Sequence, residues 1–340
     1  MITEDQLEQL AIQWFQDTGW NYIHGAVIAP EAEPSSQPSP TGRRRNTAER
    51  EDFRAVVLKG RLAEAVRRLN PKLPESAVEE VVHVVTKPEH PSLSQSNRAF
   101  HRYLMDGVLV EFTNAKGEKE ADHAQLVDFT WASRNDFLVV NQFTITGTKK
   151  PRRPDLVCFL NGLPLGLIEL KNPADQQADV WKAFDQLQTY QAEISDLLVF
   201  NEALVVSDGM NARVGSLTAS KEWFMPWRTR WSENDKPQAE FELETVIRGF
   251  FKPDLFLDSV RYFILFEQDV DGLIKKIFLS AMRSTCGMHC RVRRSSASPA
   301  RRSRRRMRTR RRPSAATFQS TTPRTQRRTR RRCRSITKVA

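Results

Sequence analysis

Three side chains near the middle of the chain have the types and spacing to do chemistry together: Asp155, Glu169 and Lys171. The two carboxylates are hard oxygen ligands of the kind Mg²⁺ takes, since that ion keeps several waters and is held by one or two protein carboxylates. An amine beside them can orient a water, help remove its proton and offset charge on a phosphate. That set suits hydrolysis of a phosphodiester. Glu169 and Lys171 are two apart at the end of an apolar run, so in a strand they point to one face, while Asp155 opens the preceding run. Charges at the margin of a buried strand must be solvated, and a divalent ion is one way to do it. An ordinary edge-strand salt bridge is another, and for Glu-x-Lys taken alone it is the commoner.

The elements that must hold these groups can be read outward from them. Residues 156–160 and 165–170 are apolar and flank Asn161-Gly162, the dipeptide of a tight two-residue hairpin. Near the start, Thr3 with Gln6 forms a capping box, and Leu7, Leu10, Ala11, Trp14 and Phe15 follow at helical spacing until Gly19. Glu8 lies on the face shared with Ala11, Ile12 and Phe15; it is either a solvated helix charge or a further acid near the site. A helix over 177–193 turns Val180, Phe184 and Leu187 inward. Gln186 and Tyr190, four apart, share a neighbouring face of it, where amphipathic surface residues would also sit.

Between these, helical patterns cover 49–69, 75–85 and 97–105, with Pro71 and Pro74 breaking the first from the second. Strands are predicted over 108–112, 124–129 and 137–146, and again over 201–206 and 212–217 around the turn Ser207-Asp208-Gly209-Met210-Asn211. Helices over 240–251 and 254–266 finish the body. Residues 31–48, rich in Pro, Ser and Arg, read as an exposed loop. Trp223, Trp227 and Trp231 recur every four residues, but Pro226 interrupts any helix, and such aromatics are more often core than a platform for stacked bases.

The net charge of +12 hides two opposite halves. Of 53 Lys and Arg, 21 fall within 283–340, which holds no Asp or Glu; residues 1–282 therefore carry 32 basic against 41 acidic side chains. An acidic body does not exclude a nucleic-acid partner, because a local groove, not the total charge, attracts the phosphates. Four cysteines, one in an apolar strand and three in the basic tail, form no disulfide framework and fit a reduced, cytoplasmic setting. The first residues are acidic with no apolar signal core, and no window approaches ~18 apolar residues. Export and a membrane span are excluded on this reading.

Asp155 preceded by Pro154, then thirteen residues, then Glu169-x-Lys171, resembles the PD-(D/E)xK nuclease motif. Residues 1 to about 278 resemble more broadly the N-terminal nuclease region of the R (restriction) subunit of type I restriction endonucleases. The resemblance rests on Gly19-Trp20, Arg68-Leu69-Asn70-Pro71, Asp128-Phe129, Asn135-Asp136-Phe137, Asn141-Gln142-Phe143, Arg153-Pro154-Asp155, Asn161-Gly162-Leu163-Pro164-Leu165, Ile168-Glu169-Leu170-Lys171 and Val206-Ser207-Asp208-Gly209. Gln186-x-x-x-Tyr190 is similar to an element that accompanies the nuclease motif in that family and in RecB-type nucleases. The resemblance implies an α/β fold of the PD-(D/E)xK restriction-endonuclease type, with a central mixed sheet flanked by helices. It implies that Asp155, Glu169 and the Leu170 carbonyl bind Mg²⁺, that Lys171 acts beside the attacking water, and that Gln186 and Tyr190 hold DNA or support the site. Glu8 corresponds to the first-helix acid of such folds. The partners implied are double-stranded DNA and the methylase (M) and specificity (S) subunits.

The family's R subunit also translocates DNA with ATP, through a Gly-x-x-x-x-Gly-Lys-Ser/Thr phosphate loop. No such loop occurs in these 340 residues. The expected organisation is therefore a nuclease domain over 1–252, a helical connector over 253–282 leading toward an absent motor, and an Arg-rich tail over 283–340 without a core. Two accounts of the tail compete: an arm that binds nucleic acid by counterion release, or an out-of-frame translation of a GC-rich gene. Cys286-x-x-His289-Cys290 lacks a second ligand pair for zinc. The function expected is that of a Mg²⁺-dependent DNA endonuclease module; the alternative is a non-catalytic remnant that binds DNA through its basic tail or docks on the M and S subunits.

Overall fold

In the computed structural model, which describes residues 3–30, 49–87, 90–113, 116–171, 180–228, 241–268 and 273–278, helix α1 (Glu4–Asp17) starts on the expected capping box. Thr3 Oγ1 accepts from the Gln6 amide at 3.3 Å and Gln6 Oε1 accepts from the Thr3 amide at 3.0 Å. Leu7, Ala11, Ile12, Trp14 and Phe15 are buried on its inner face. The predicted 31–48 loop and the 283–340 tail lie outside the described residues, all of which fall in one compact unit, 1–289.

After β1 (Asn21–His24) come three helices, α2 (Lys59–Leu69), α3 (Glu75–Thr86) and α4 (Leu93–Asp106), and an antiparallel ribbon of β2 (Val108–Thr113) and β3 (Lys119–Ala124). The main strands follow: β4 (Phe137–Asn141), the small hairpin β5 (Ile145–Thr146) with β6 (Pro151–Arg152), then β7 (Leu156–Leu160) and β8 (Leu163–Leu170). Helices α5 (Val180–Glu193) and α6 (Ser195–Leu198) lead to β9 (Ala203–Ser207) and β10 (Ala212–Gly215). The described chain closes with α7 (Glu242–Thr245), which runs into a π-helical turn at Val246–Phe250, then α8 (Pro253–Tyr262), β11 (Ile264–Gln268) and β12 (Ile274–Phe278).

Six strands form one mixed sheet in the order β1-β4-β7-β8-β9-β10. The pairs β1–β4 and β8–β9 are parallel and the others antiparallel. Every residue of β4, β7, β8 and β9 is buried, which explains why these strands read as continuous apolar runs without polar alternation. Helices cover both faces. Gly166 of β8 leaves room for the Phe251 ring, and Phe251 packs edge-on against Phe15 of α1 at 5.2 Å; α5 packs on β8 and β9 from the face to which Glu169, three residues on, points. No helix among the described residues is long and apolar enough to cross a membrane.

The Asn-Gly turn joins β7 to β8 as expected, with Asn161 at φ 52° and Gly162 at φ 81°. It is also clamped from outside. The Leu58 amide donates to the Gly162 carbonyl at 2.9 Å, and the Asn161 side chain receives the Asp136 amide at 2.8 Å and donates to the Leu126 carbonyl at 2.8 Å. A Cβ on Gly162 would lie 2.5 Å from the Leu58 carbonyl oxygen and 2.9 Å from the Leu62 nitrogen. Gly162→Ala is therefore expected to destabilise the fold by roughly 2–3 kcal/mol, read as a lower urea midpoint, through positive φ and backbone clash together. An unchanged midpoint would contradict this close approach.

Three expectations need correction. Residues 49–58 are not helical: the Arg50 guanidinium takes the carbonyls of Phe53, Ala55 and Thr144 and stacks over Phe143, folding the segment into a loop before α2. The strand expected at 124–129 lies instead at Lys119–Ala124, while the backbone beyond it bonds to side chains, with Asp128 capping the Thr130 and Trp131 amides. Residues 253–282 are not a purely helical connector. Helix α8 stops at Tyr262, and β11 and β12 form a hairpin seated on α4.

That hairpin is fixed by a buried charge. Lys276 Nζ donates to Glu202 Oε2 at 2.8 Å, to Asn97 Oδ1 at 3.0 Å and to the Asn201 carbonyl at 2.6 Å, and His101 Nδ1 lies 3.1 Å from the same Glu202 oxygen. The Lys276 side chain is 1% exposed and that of Glu202 0%.

Candidate active site

The open end of the β7–β8 hairpin gathers the residues singled out by type and spacing. Asp155 sits just before β7, and its Oδ2 accepts the Leu170 amide at 2.6 Å across the hairpin mouth. Beyond β8 the chain stays in register, because the Lys171 amide donates to the Ser207 carbonyl at the end of β9, at 2.8 Å. Lys171 Nζ then turns back to donate to Glu169 Oε1 and to the Leu170 carbonyl, each at 2.9 Å. Sheet geometry alone thus presents Asp155, Glu169, Lys171 and the Leu170 carbonyl at one margin.

The electrostatics at this margin are unbalanced. Glu169 is fully buried, and its second oxygen, Oε2, has no hydrogen-bond partner among the described residues. Burial, then the charge of Asp155, pushes the Glu169 carboxyl up to about 8, against the opposing pull of Lys171. Burial also pushes Asp155 up to about 7, with Glu4 and Glu8 adding to the rise and the Leu170 amide and Lys171 opposing it. Two carboxyls side by side in a desolvated pocket retain protons near neutrality unless a cation replaces them.

The accessory residues converge on the same place. Tyr190 of α5 is buried, and Gln186 Nε2 donates to its hydroxyl at 2.7 Å. Burial and then the Glu169 charge push the Tyr190 hydroxyl well above the usual tyrosine range, so it stays a proton donor. Glu8 is buried, which corrects the solvated-charge alternative: its Oε1 accepts from Asn141 Nδ2 at 2.7 Å and its Oε2 from Gln142 Nε2 at 2.9 Å.

Residue-type reasoning missed the part of the site formed by the end of β4. Tyr22 Oη donates to Asn141 Oδ1 at 3.0 Å, and the Gln142 amide donates to the Asp155 carbonyl at 3.3 Å. Gln142 holds φ 53°, a left-handed backbone that a non-glycine residue keeps only when its surroundings fix it. The signal for these residues lay in Asn141-Gln142-Phe143, a recognisable motif with no chemistry of its own.

The donor set fits a hard divalent cation. Asp155 and Glu169 share the charge of one amine, Lys171, Glu8 adds to the negative potential on Asp155, and Glu169 Oε2 is a buried carboxyl oxygen without a hydrogen-bond partner among the described residues. Among the described residues no three His, Cys, Asp or Glu side chains form a cage of their own. Two carboxylates, a carbonyl with a free lone pair and water are what Mg²⁺ accepts, whereas Zn²⁺ would call for His or Cys.

Residues 1–223 match the model for the type I restriction enzyme R protein N terminus. The chain is 42% identical over 281 residues to the type I restriction enzyme HindI endonuclease subunit of Haemophilus influenzae, an alignment covering 82% of this chain and 25% of that protein. It is 30% identical over 287 residues to the putative type I restriction enzyme MjaIXP endonuclease subunit of Methanocaldococcus jannaschii, covering 78% of this chain and 26% of that one. The chain spans about a quarter of the length of these relatives. With the family model matching well over half of its residues, the chain belongs to the type I restriction enzyme R protein family and carries that family's N-terminal region.

Proposed function

We propose that this region is a Mg²⁺-dependent DNA endonuclease module with a PD-(D/E)xK-type fold, hydrolysing phosphodiester bonds from the Asp155, Glu169 and Lys171 margin. The observation that carries the reading is the buried Glu169 Oε2 beside Asp155, without a hydrogen-bond partner among the described residues, while Lys171 Nζ holds the other oxygen of the same carboxyl. Asp155, Glu169 and the Leu170 carbonyl would hold the ion; when bound, it supplies charge neutralisation at the phosphate and a more acidic water. Asp155 is fixed from both sides, by the Leu170 amide and by the Gln142 amide on its own carbonyl. Lys171 keeps its ammonium within reach of the attacked phosphate and orients the attacking water. Tyr190 and Gln186 supply neutral donors beside Glu169 that can hold a phosphate oxygen without adding charge.

The reading extends to double-stranded DNA as substrate, to M and S subunits as partners and to the cytoplasm as setting; DNA translocation would need an ATP motor, and these 340 residues hold no phosphate loop for one. The test is nicking and linearisation of supercoiled plasmid by the purified 340-residue chain. With millimolar Mg²⁺ cleavage is expected; with EDTA, or in Asp155→Asn protein, it should fall at least 10²-fold, the scale of losing a metal ligand at a reacting centre. Equal cleavage by wild type and Asp155→Asn would end the assignment. Absence of cleavage in wild type with Mg²⁺ and bound DNA would favour the non-catalytic docking alternative.

A further inference from the structure

An acidic body that cuts DNA needs a local cationic surface to bring the backbone to the site. Residues 1–282 carry 41 acidic and 32 basic side chains, so that surface has to be concentrated somewhere. The run Lys149-Lys150-Pro151-Arg152-Arg153 ends two residues before Asp155 and forms the outgoing limb of the β5–β6 hairpin. Lys149, Lys150 and Arg153 are exposed. Among the described residues the run meets one acidic partner, Glu193 at the end of α5, which takes Arg152 at 2.6 Å and Lys149 at 3.8 Å and whose carboxyl Lys150 also pulls down in pKa. Three of the run's four cations thus act on one carboxylate, and the fourth, Arg153, has no acidic partner among the described residues.

The run is also held still. The Thr148 amide donates to the Glu193 carbonyl at 2.9 Å, and the Thr146 amide to that of Phe53 at 3.0 Å. A Cβ on Gly147 would strike the Lys150 and Glu193 carbonyl oxygens at 2.7 and 2.9 Å, so the hairpin lies flat against the end of the helix that carries Gln186 and Tyr190. Lys150 and Arg153 each precede a proline, which holds a residue's backbone extended. Their side chains are therefore presented from a stiff support with little backbone entropy left to lose.

We infer that the β5–β6 hairpin is a phosphate clamp for double-stranded DNA, with Lys150 and Arg153 as its contacts and Arg152–Glu193 as its anchor. The inference rests on the nuclease reading for its biological purpose, but its test does not use cleavage. Binding of a fluorescent 30-base-pair duplex by the full chain is measured against salt in EDTA. Lys150→Ala/Arg153→Ala is compared with wild type and with a charge-matched control, Lys72→Ala/Arg102→Ala. The control residues are exposed and lie toward the other end of the sheet: α2 just before Lys72 contacts the Asn161 turn, and His101, next to Arg102, contacts Glu202 ahead of β9.

The slope of log K against log salt should fall in magnitude by about two for the hairpin pair and stay within a few tenths for the control, because each lost phosphate contact removes close to one unit. Any contribution of the tail is common to all three proteins and cancels. Equal slopes for the two pairs would overturn the clamp. Where cleavage by wild type is absent but the slope difference is present, the clamp stands and the nuclease reading falls.

Discussion

Glu169→Gln is expected to unfold at a higher denaturant concentration than wild type above neutral pH and, under the proposed function, to lose DNA cleavage. Glu169 is fully buried, and its carboxyl is raised from an ordinary 4.5 to about 8. For an acid raised in this way the native state holds its proton over a range in which the unfolded chain has lost it. The native state then binds more protons, and stability falls as pH rises between about 4.5 and about 8. Asp155, raised from 3.8 to about 7, adds a penalty of the same sign over an overlapping window. Burying the Glu169 charge without a cation destabilises the metal-free protein on the order of a few kcal/mol by pH 9, at about 1.4 kcal/mol per pH unit. Gln removes that charge while keeping the shape, and Lys171 is exposed enough for water to replace its lost partner. Urea melts in EDTA should show the variant ahead of wild type already at pH 6, inside the titration window, and further ahead at pH 9. Millimolar Mg²⁺ should restore wild-type stability at pH 9 by mass action on the native state and leave the variant unmoved. If both proteins lose stability equally between pH 6 and 9, the Glu169 carboxyl is not the strained group described here.

The second large effect lies far from the chemistry. Lys276→Ala should destabilise the protein by about 3–5 kcal/mol, because it leaves Glu202 charged, desolvated and with one oxygen already lacking a partner among the described residues. Burial disfavours the charge on Lys276 and holds its pKa below the usual lysine range, while Lys276 and His101 hold Glu202 below the usual carboxylate range despite burial. The pair is thus kept ionised by mutual need. Lys276→Met/Glu202→Leu, which removes both charges and keeps the volume filled, should recover most of the loss, and the difference between the single and double variants measures the coupling. Hydrogen exchange in Lys276→Ala should rise first in β11 and β12, which this contact seats on α4. A single variant as stable as wild type would show that the network holds nothing.

Much of the site was legible because its chemistry is local in sequence. The Asn161-Gly162 turn fixes which residues of β7 and β8 oppose one another, so the spacing from Asp155 to Glu169 already implies a shared margin. Gln186 and Tyr190 were legible as a helical pair four apart, and the structure adds that the pair faces Glu169. What could not be read is what distant chain segments impose. Glu8 finds Asn141 and Gln142 more than 130 residues away, and nothing in the periodicity of α1 distinguishes it from a solvated acid. Of the adjacent lysines in β12, Lys276 is buried and Lys275 exposed, a distinction made only by the position of Glu202. The apolar residues 263–266 suited a continued helix equally well until Phe266 packed on His101 at 5.3 Å and became strand. Strand β3 is almost wholly exposed and offered no apolar alternation to detect.

The two-residue turn also sets the order in which the site can be assembled. Bringing Asp155 to Glu169 closes a loop of only thirteen residues, whereas joining Glu8 to Asn141 closes one ten times longer, and the entropy of closure grows with loop length. The Asp155–Glu169 pair therefore belongs to a unit of local contacts that can form early in folding, before α1 and α5 have docked. Accessory residues such as Glu8 and Tyr190 dock on a carboxylate pair that already exists, so changes in them retune it, while changes in the turn decide whether there is a pair at all.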